Sequence, residues 1–377
     1  MLLSRLSVRE FRNLAAADFE LSPRLTVLHG HNGAGKTNLL EALYLISTVR
    51  SFRSAELGPL VRHGEATARV EVAGLDPIVG ITTTLSVALH RGARSTRRAA
   101  HADGKLVRSA ADFYGRMPAV LFTPEDLGVL RGSPGGRRRF LDRVLFARDR
   151  AHISDIQAYE KLVRSRNSVL RGELMRGART EEMLATYDEQ LAEVGARVWD
   201  RREALLEGLH ADFSAVFAEI LDDRVGPAAL RYASRMGAVT SAERPAALLT
   251  ELRASRSIDH ARGVTTVGPH RDDFAVTMDG QDAAKFASQG QSRALVLAFK
   301  IAELRGARER LGRAPILLLD DVSSELDPRR TEQLFTALAR EAGQCVLTTT
   351  SPRYIPLPEA LDRTYIAVDG GCVRVDL

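Results

Sequence analysis

Cysteine and lysine are scarce in this 377-residue chain. Only two cysteines occur, Cys345 and Cys372, too few for a disulfide framework or a cysteine metal cluster. A reducing compartment fits, and Cys345, in a strand-like run, reads as a buried thiol. No apolar run approaches the roughly 18 residues of a membrane span. At the start of the chain Arg5, Arg9 and Arg12 interrupt any signal-peptide core. The expectation is a soluble, cytoplasmic protein with no membrane partner. Repeats are absent too at periods of about 20–50 residues, which excludes a solenoid. Lysine is confined to Lys36, Lys105, Lys161, Lys285 and Lys300, so the formal charge of +5 comes almost entirely from arginine. The planar guanidinium fork suits phosphate and carboxylate partners. A G+C-rich genome would give the same bias, so the charge permits nucleic acid without requiring it. Hydrophobic content of 45% and charged content of 27% exclude disorder, and the length suffices for two domains with cores of their own.

Against these absences one stretch is fully specified. Gly30-His31-Asn32-Gly33-Ala34-Gly35-Lys36-Thr37 fits G-x-x-x-x-G-K-[ST] at every position. A β-prone run, Leu25–His29, precedes it, and Asn38–Ile46 follows with Leu39, Leu43 and Ile46 on one helical face. In such a strand, turn and helix the glycines let backbone N–H groups close round phosphates and the helix N-terminus adds its positive end. Lys36 reaches the β- and γ-phosphates and Thr37 can hold Mg²⁺.

The rest of the chain organises around this motif. Residues 1–30 read as β-rich, and 66–110 alternate with period two, running into the basic tip Arg91–Arg98. That tip reads either as a solvated turn or as an electrostatic finger onto a phosphate backbone. Met117–Leu127 reads as a strand ending in a proline turn, and Gly132–Gly136 as a linker. From Arg137 to about Leu221 the signal is helical: a first region from Leu141 to Val163, then a long helix from Leu184 to Ile220, packed antiparallel as an arm. Gly195 and Gly208 weaken the continuity of the long helix. Beyond Ala228 the pattern is mixed: strands near Ala229–Ala233 and Phe274–Met278, a helix from Gln291 to about Glu309, a helix at Pro328–Ala342, a strand at Gln344–Thr348 and a final hairpin.

Ile316-Leu317-Leu318-Leu319-Asp320-Asp321 has the form of the strand that partners a phosphate loop, with carboxylates at the end where ligands bind in α/β sheets. Asp320 would hold Mg²⁺ through water, and Asp321 could orient or deprotonate an attacking water, so Lys36, Asp320 and Asp321 are the catalytic candidates. The distance from Thr37 to Asp320 far exceeds what a simple βαβαβ nucleotide domain needs, so the helical stretch is inserted between two halves of one ATPase.

A split ATPase head of this kind resembles the ABC-type ATPases of the SMC and Rad50 class. Ser288-Gln289-Gly290-Gln291 is similar to their signature motif, and Asp321-Val322-Ser323-Ser324-Glu325-Leu326-Asp327 to a Walker B segment running into a D-loop. Phe11-Arg12-Asn13 is similar to an N-terminal element whose arginine lies near the nucleotide. Leu121–Leu127, Gly132–Pro134, Arg137–Asp142 and Gly268–Asp273 resemble the RecF family in particular, and the likeness covers essentially the whole chain. The resemblance implies an α/β fold: an ABC-type P-loop ATPase head built from N- and C-terminal segments (1–115 and 251–377) with an inserted helical arm (116–250). It implies ATP and Mg²⁺ as cofactors, with nucleotide contacts from Gly30, His31, Asn32, Gly33, Ala34, Gly35, Lys36, Thr37, Asn38, Arg12 and Asn13. Ser288, Gly290 and Gln291 would bind the γ-phosphate held by a second protomer, making ATP the glue of a homodimer; without the family Ser288 reads simply as a helix N-cap. The implied activity is a weak, DNA-stimulated ATPase of recombinational repair and replication-fork maintenance. Its dimer would clamp double-stranded DNA near gaps and help RecO- and RecR-type mediators load RecA.

The chain also departs from the wider class. Asp321 stands where many ABC ATPases carry glutamate, which implies slow hydrolysis, and Thr348-Thr349-Thr350 stands where transporters carry a switch histidine. No Q-loop glutamine is identifiable, leaving Glu125 as a candidate. His270 with Asp272 and Asp273 allows a metal, structural or DNA role, although one histidine and two acids make a poor ligand set. Arg91, Arg94, Arg97, Arg98, Arg137, Arg138 and Arg139 are the candidates for DNA phosphates. Two other functions are open: a scaffold using ATP only as a dimerisation ligand, and a transporter ATPase subunit, against which the helical insert argues.

Overall fold

A computed structural model describes residues 1–54, 56–76, 80–93, 95–172, 179–221, 226–321, 341–352 and 362–376. Arg94, the D-loop-like run after Asp321 and nearly all of the helix expected from Pro328 lie outside the described residues. The chain divides into two units, one of Met1–Gly128, Glu219–Asp222 and Arg293–Leu377, the other of Val129–Ala218 and Asp223–Ser292.

The first unit opens with strands β1 (Leu2–Phe11), β2 (Leu14–Glu20) and β3 (Leu25–His29), then helix α1 (Lys36–Thr48). Strands β4 (Thr67–Asp76), β5 (Ile81–Arg91), β6 (Thr96–Ala102) and β7 (Lys105–Val107) follow, with α2 (Ala110–Phe113), β8 (Ala119–Phe122) and α3 (Pro124–Leu127). The alternation read in the sequence becomes an antiparallel sheet of order β2-β1-β4-β5-β6-β7, whose even positions on β4 (Ala68, Val70, Val72) face the core.

The second unit holds α4 (Pro134–Arg148), α5 (Arg150–Leu170), α6 (Arg179–Leu221), β9 (Ala228–Ala233), α7 (Arg244–Ala254), α8 (Arg256–Arg262), β10 (Asp273–Met278), β11 (Gln281–Asp282) and α9 (Ala283–Phe286). Helix α10 (Gln289–Leu311) leads back to the first unit and to β12 (Ile316–Asp320), β13 (Gln344–Thr349), β14 (Arg363–Asp369) and β15 (Cys372–Asp376). These complete a second sheet of order β15-β14-β3-β13-β12-β8. Five of its strands, β14, β3, β13, β12 and β8, run parallel, and only β15 is antiparallel. All five residues of β12 are buried, as an apolar run flanked by strands on both sides requires. The N-terminal β3 lies between β14 and β13, so one sheet is woven from both ends of the chain. Buried Gln344 pins it to the other sheet, its amide donating to Leu3 O and Ser22 O at 2.8 and 2.7 Å while its Oε1 accepts from Leu3 N.

Within the second unit, α6 is a single 43-residue helix, about 65 Å at ~1.5 Å per residue. Ion pairs Arg166–Asp188, Arg197–Asp155 and Arg201–Asp149 descend α5 as they ascend α6, which is the antiparallel pairing expected of the arm. Gly195 does not break α6: a Cβ there would lie 3.1 Å from the Tyr159 ring, so glycine admits close packing against α5. Two corrections concern helices. The region read as one from Leu141 to Val163 is split at Asp149, whose extended backbone and carboxylate cap the start of α5. Helices α7 and α8 were not anticipated; Leu248 and Leu252, four residues apart and buried, are the sequence signal of α7. Arg166 is fully buried and serves Asp188 at 2.7 Å, Asp259 at 2.6 Å and the Thr265 hydroxyl at 3.0 Å.

Candidate functional site

Strand β3 delivers the chain into the glycine turn, and α1 leaves it with Gly35 as the residue before its first turn. Gly30 has φ of +146° and a Cβ on it would fall 2.1 Å from Val368 O, so only glycine fits. His31, Asn32 and Gly33 form the exposed tip of the loop, whereas Ala34, Gly35 and Lys36 are buried. Lys36 Nζ donates to Gly30 O at 2.7 Å and His31 O at 2.9 Å. Burial lowers its pKa, opposed by the carboxylates of Asp321 and Asp320.

The second half of the motif meets the first directly. Thr37 Oγ1 donates to Asp320 Oδ1 at 2.8 Å, across 283 positions of sequence. The same Oδ1 accepts from Thr348 Oγ1 at 2.9 Å, and the Thr348 hydroxyl in turn accepts from the Asp321 N–H at 2.9 Å. Parallel pairing of β12 with β13 puts Asp320 opposite Thr348, which makes this contact a matter of register. Burial raises the Asp320 pKa, resisted by the two hydroxyl donors. Asp321 adopts φ of +44°, an uncommon left-handed conformation for a residue with a side chain, anchored by Thr348. Thr348 is the residue whose part sequence reasoning missed; it was visible only as an odd strand end lacking a histidine.

Asn13 and Asn38 brace the loop from outside: Asn13 Nδ2 donates to Ala34 O at 3.2 Å and Asn38 Nδ2 to Asn13 Oδ1 at 2.7 Å. Arg12 is occupied differently from its neighbour. Its guanidinium forms a bidentate pair with fully buried Glu41, at 2.8 and 2.7 Å, and donates to Pro59 O. Arg53, which sequence reasoning passed over, joins Asn38 Oδ1 at 2.9 Å and lies 3.8 Å from Glu41. Glu125, on α3, is exposed yet near enough to Asp320 for its charge to push that carboxyl up. Among the described residues no group of three or more His, Cys, Asp or Glu side chains could hold a metal unaided. Thr37 Oγ1 and Asp320 Oδ1 are instead a pair of hard oxygens 2.8 Å apart.

Ser288 and Gln291, in the second unit, form a reciprocal cap on α10: Gln291 N–H donates to Ser288 Oγ at 3.1 Å and Ser288 N–H to Gln291 Oε1 at 2.8 Å. Gly290 lies in the first turn of that helix. The plain N-cap reading of Ser288 is therefore realised in the protomer.

The Gly268–Asp273 segment is turned inward. Tyr159 Oη is 2.7 Å from His270 Nδ1, and His270 Nε2 lies 3.0 Å from Thr265 O, so both ring nitrogens are engaged and burial holds the imidazole down to about 4. Asp272 accepts from Tyr232 Oη at 3.0 Å, and burial pushes it up to about 6. Asp273 takes a bidentate pair from Arg137. Of the roles open to this segment, these contacts support the structural one.

The same contacts thin the basic candidates. Arg137 also donates to Leu130 O and Gly132 O, and Arg138 to Asp272 O at 2.6 Å. Arg91 donates to Gly58 O and Val61 O, and Arg98 to Val49 O at 2.8 Å. Four of the seven arginines thus have contacts within the fold, Arg94 lies outside the described residues, and Arg91, Arg97 and Arg139 are exposed. The tip between β5 and β6 is also shorter than expected, because Arg97 and Arg98 are already in β6.

Comparison with known proteins agrees with this geometry. The family model described as RecF/RecN/SMC N terminal domain matches residues 2–370. The "DNA replication and repair protein RecF" of Anaeromyxobacter sp. (strain Fw109-5) is 43% identical over 99% of this chain and 99% of its own length. That of Myxococcus xanthus (strain DK1622) is 42% identical over 100% and 97%. Among solved structures, "the recombination mediator protein RecF-ATP in RecFOR pathway" superposes with a TM-score of 0.86 at 29% identity, covering 100% of this chain and 98% of that one. An SMC head bound to the C-winged helix domain of ScpA, at 13% identity and a TM-score of 0.54, shares the fold. Among the described residues no helix is long and apolar enough to cross a membrane. The chain belongs to the RecF family of DNA replication and repair proteins, with the ABC-type ATPase head of the RecF/RecN/SMC class.

Proposed function

We propose that this protein is an ATP-operated DNA clamp of recombinational repair and replication-fork maintenance. Two copies close over two ATP molecules, hold duplex DNA beside single-strand gaps, and help RecO- and RecR-type mediators load RecA, and slow hydrolysis releases the clamp. The observation that carries the reading is the Thr37 Oγ1 to Asp320 Oδ1 contact at 2.8 Å, which joins phosphate loop and carboxylate strand into one site. Residues 30–38 cradle the phosphates, Lys36 meets the β- and γ-oxygens, and Asn13 braces the loop. Thr37, and Asp320 through water, would hold Mg²⁺, which neutralises charge on the β- and γ-phosphates. Asp321 orients the attacking water. Ser288, Gly290 and Gln291 present a helix N-terminus to the γ-phosphate of the other protomer, exchanging the internal cap for an anion.

The test is sizing by light scattering with and without ATP and a gapped duplex, for wild type and Asp321→Asn. The expected outcome is an ATP-dependent dimer that dissociates on hydrolysis in the wild type and persists in the variant, with phosphate release down on the order of a hundredfold. Identical behaviour of the two proteins would point to a scaffold in which ATP is only a ligand.

Two further results are expected. Thr348→Val removes the hydroxyl that links Asp320 to Asp321 and should slow hydrolysis about tenfold with little change in ATP affinity, whereas Thr348→Ser should keep most activity. Arg97→Glu and Arg139→Glu should each weaken DNA binding without regard to sequence. Each should also flatten the slope of log affinity against log salt by about one unit, which titrations at several salt concentrations would read.

A further inference from the structure

The turn of the C-terminal hairpin lies against the phosphate loop. Between β14 and β15 the chain passes through Asp369, Gly370, Gly371 and Cys372, and the Gly371 N–H donates to Ala34 O at 2.9 Å. The same carbonyl accepts from Asn13 Nδ2 at 3.2 Å, and Asn38 fixes the orientation of that amide. Two donors therefore converge on one oxygen of the loop. A trans peptide sets its N–H opposite its C=O, and among the described residues there is no cis peptide bond. Holding Ala34 O towards the hairpin thus turns the Gly35 N–H away from it, to the side where the α1 N-terminus collects N–H groups without intrahelical partners.

The fit leaves no slack. Gly371 has φ of +86°, and a Cβ on it would stand 2.5 Å from Asn13 O; on the other flank, Val368 O of β14 is what excludes any side chain at Gly30. Val368 at Gly30, and Asn13 Nδ2 with the Gly371 N–H at Ala34 O, thus hold the loop at two points.

We propose that the Asp369–Cys372 turn is part of the nucleotide site, with Gly371 as a positioning residue that, together with Asn13, sets the direction of the Gly35 N–H donor. This rests on the reading of the loop as an ATP site. Linkage makes the effect reciprocal: what the hairpin does for ATP affinity, ATP does for the hairpin's hold on the loop. Cys372, exposed and adjacent to Gly371, reports on that hold.

Three measurements test it. Gly371→Ala and Asn13→Asp, titrated with a fluorescent ATP analogue and Mg²⁺, should each bind on the order of tenfold more weakly, and the double variant should fall short of the product, because both donors act on one carbonyl. In a Cys345→Ser background, saturating ATP should slow maleimide labelling of Cys372 severalfold, a readout that a merely structural glycine would not move. If Gly371→Ala fails to fold, Asn13→Asp and the labelling carry the test. Wild-type affinity in Asn13→Asp together with ATP-independent labelling of Cys372, in protein that binds ATP, overturns the hairpin's role. Wild-type protein that does not bind ATP overturns the nucleotide reading itself.

Discussion

Lys36→Ala should lose ATP affinity by on the order of a hundredfold, and with it the ATP-dependent dimer and its grip on DNA. Lys36 is buried, its ammonium is bonded to the backbone carbonyls of Gly30 and His31, and burial already disfavours its charge. Such a cation gains most from a phosphate oxygen, since the bond is charge-assisted and partly desolvated, worth about 1.5–3 kcal/mol before longer-range attraction is added. Lys36→Arg should not rescue it, because a guanidinium cannot occupy the pocket of a compact ammonium. Calorimetric titration with ATP and Mg²⁺ reads the first loss and sizing reads the second. Intact dimerisation and DNA binding in Lys36→Ala would remove the basis of the proposed clamp.

Arg166→Ala should destabilise the second unit by about 3–5 kcal/mol, roughly 10 °C in its unfolding temperature. The arginine and both of its carboxylate partners are fully buried, so its removal strands two negative charges in the interior. Asp188 keeps a bond from Arg256 at 2.8 Å, and Asp259 keeps the Thr266 N–H and hydroxyl, which bounds the loss below that of two isolated ions. Differential scanning calorimetry of the variant should therefore show an early transition while the ATP-stabilised one stays in place. A shift of less than about 1 kcal/mol would mean that water enters the site and screens the pair.

The parts legible in the sequence were those that neighbouring residues determine. Gly30–Thr37 is contiguous, and each of its residues acts through its own backbone or a short reach into the loop. Strand β12 was legible because four apolar residues and a carboxylate admit few placements. The long helix α6 was legible because its period persists for 43 residues. What escaped depends on partners far away in sequence. Arg137 and Arg138 carry the same charge as Arg139, and nothing local reveals that two of the three are spent on residues 136 and 134 positions later. Thr348 is one threonine in a run of three; its importance comes from the register that puts it opposite Asp320. Helices α7 and α8 were missed because they are short, the buried apolar stripe of α7 is only two leucines deep, and α8 exposes its one large apolar residue, Ile258.

The placement of β3 between β14 and β13 has a consequence for how the molecule comes into being. Strand β3 is made within the first thirty residues, but its registered neighbours are Cys345–Thr349 and Arg363–Ala367. During synthesis at about 5–20 residues per second, the phosphate-loop strand waits on the order of tens of seconds with both edges unpaired. Its pairings are among the most non-local the chain could have, and closing them costs loop entropy before any contact repays it. The nascent chain therefore carries the phosphate-loop sequence long before the carboxylate strand and the strands that pair with β3 exist. ATP should act late, as a ligand that selects the finished sheet from its precursors.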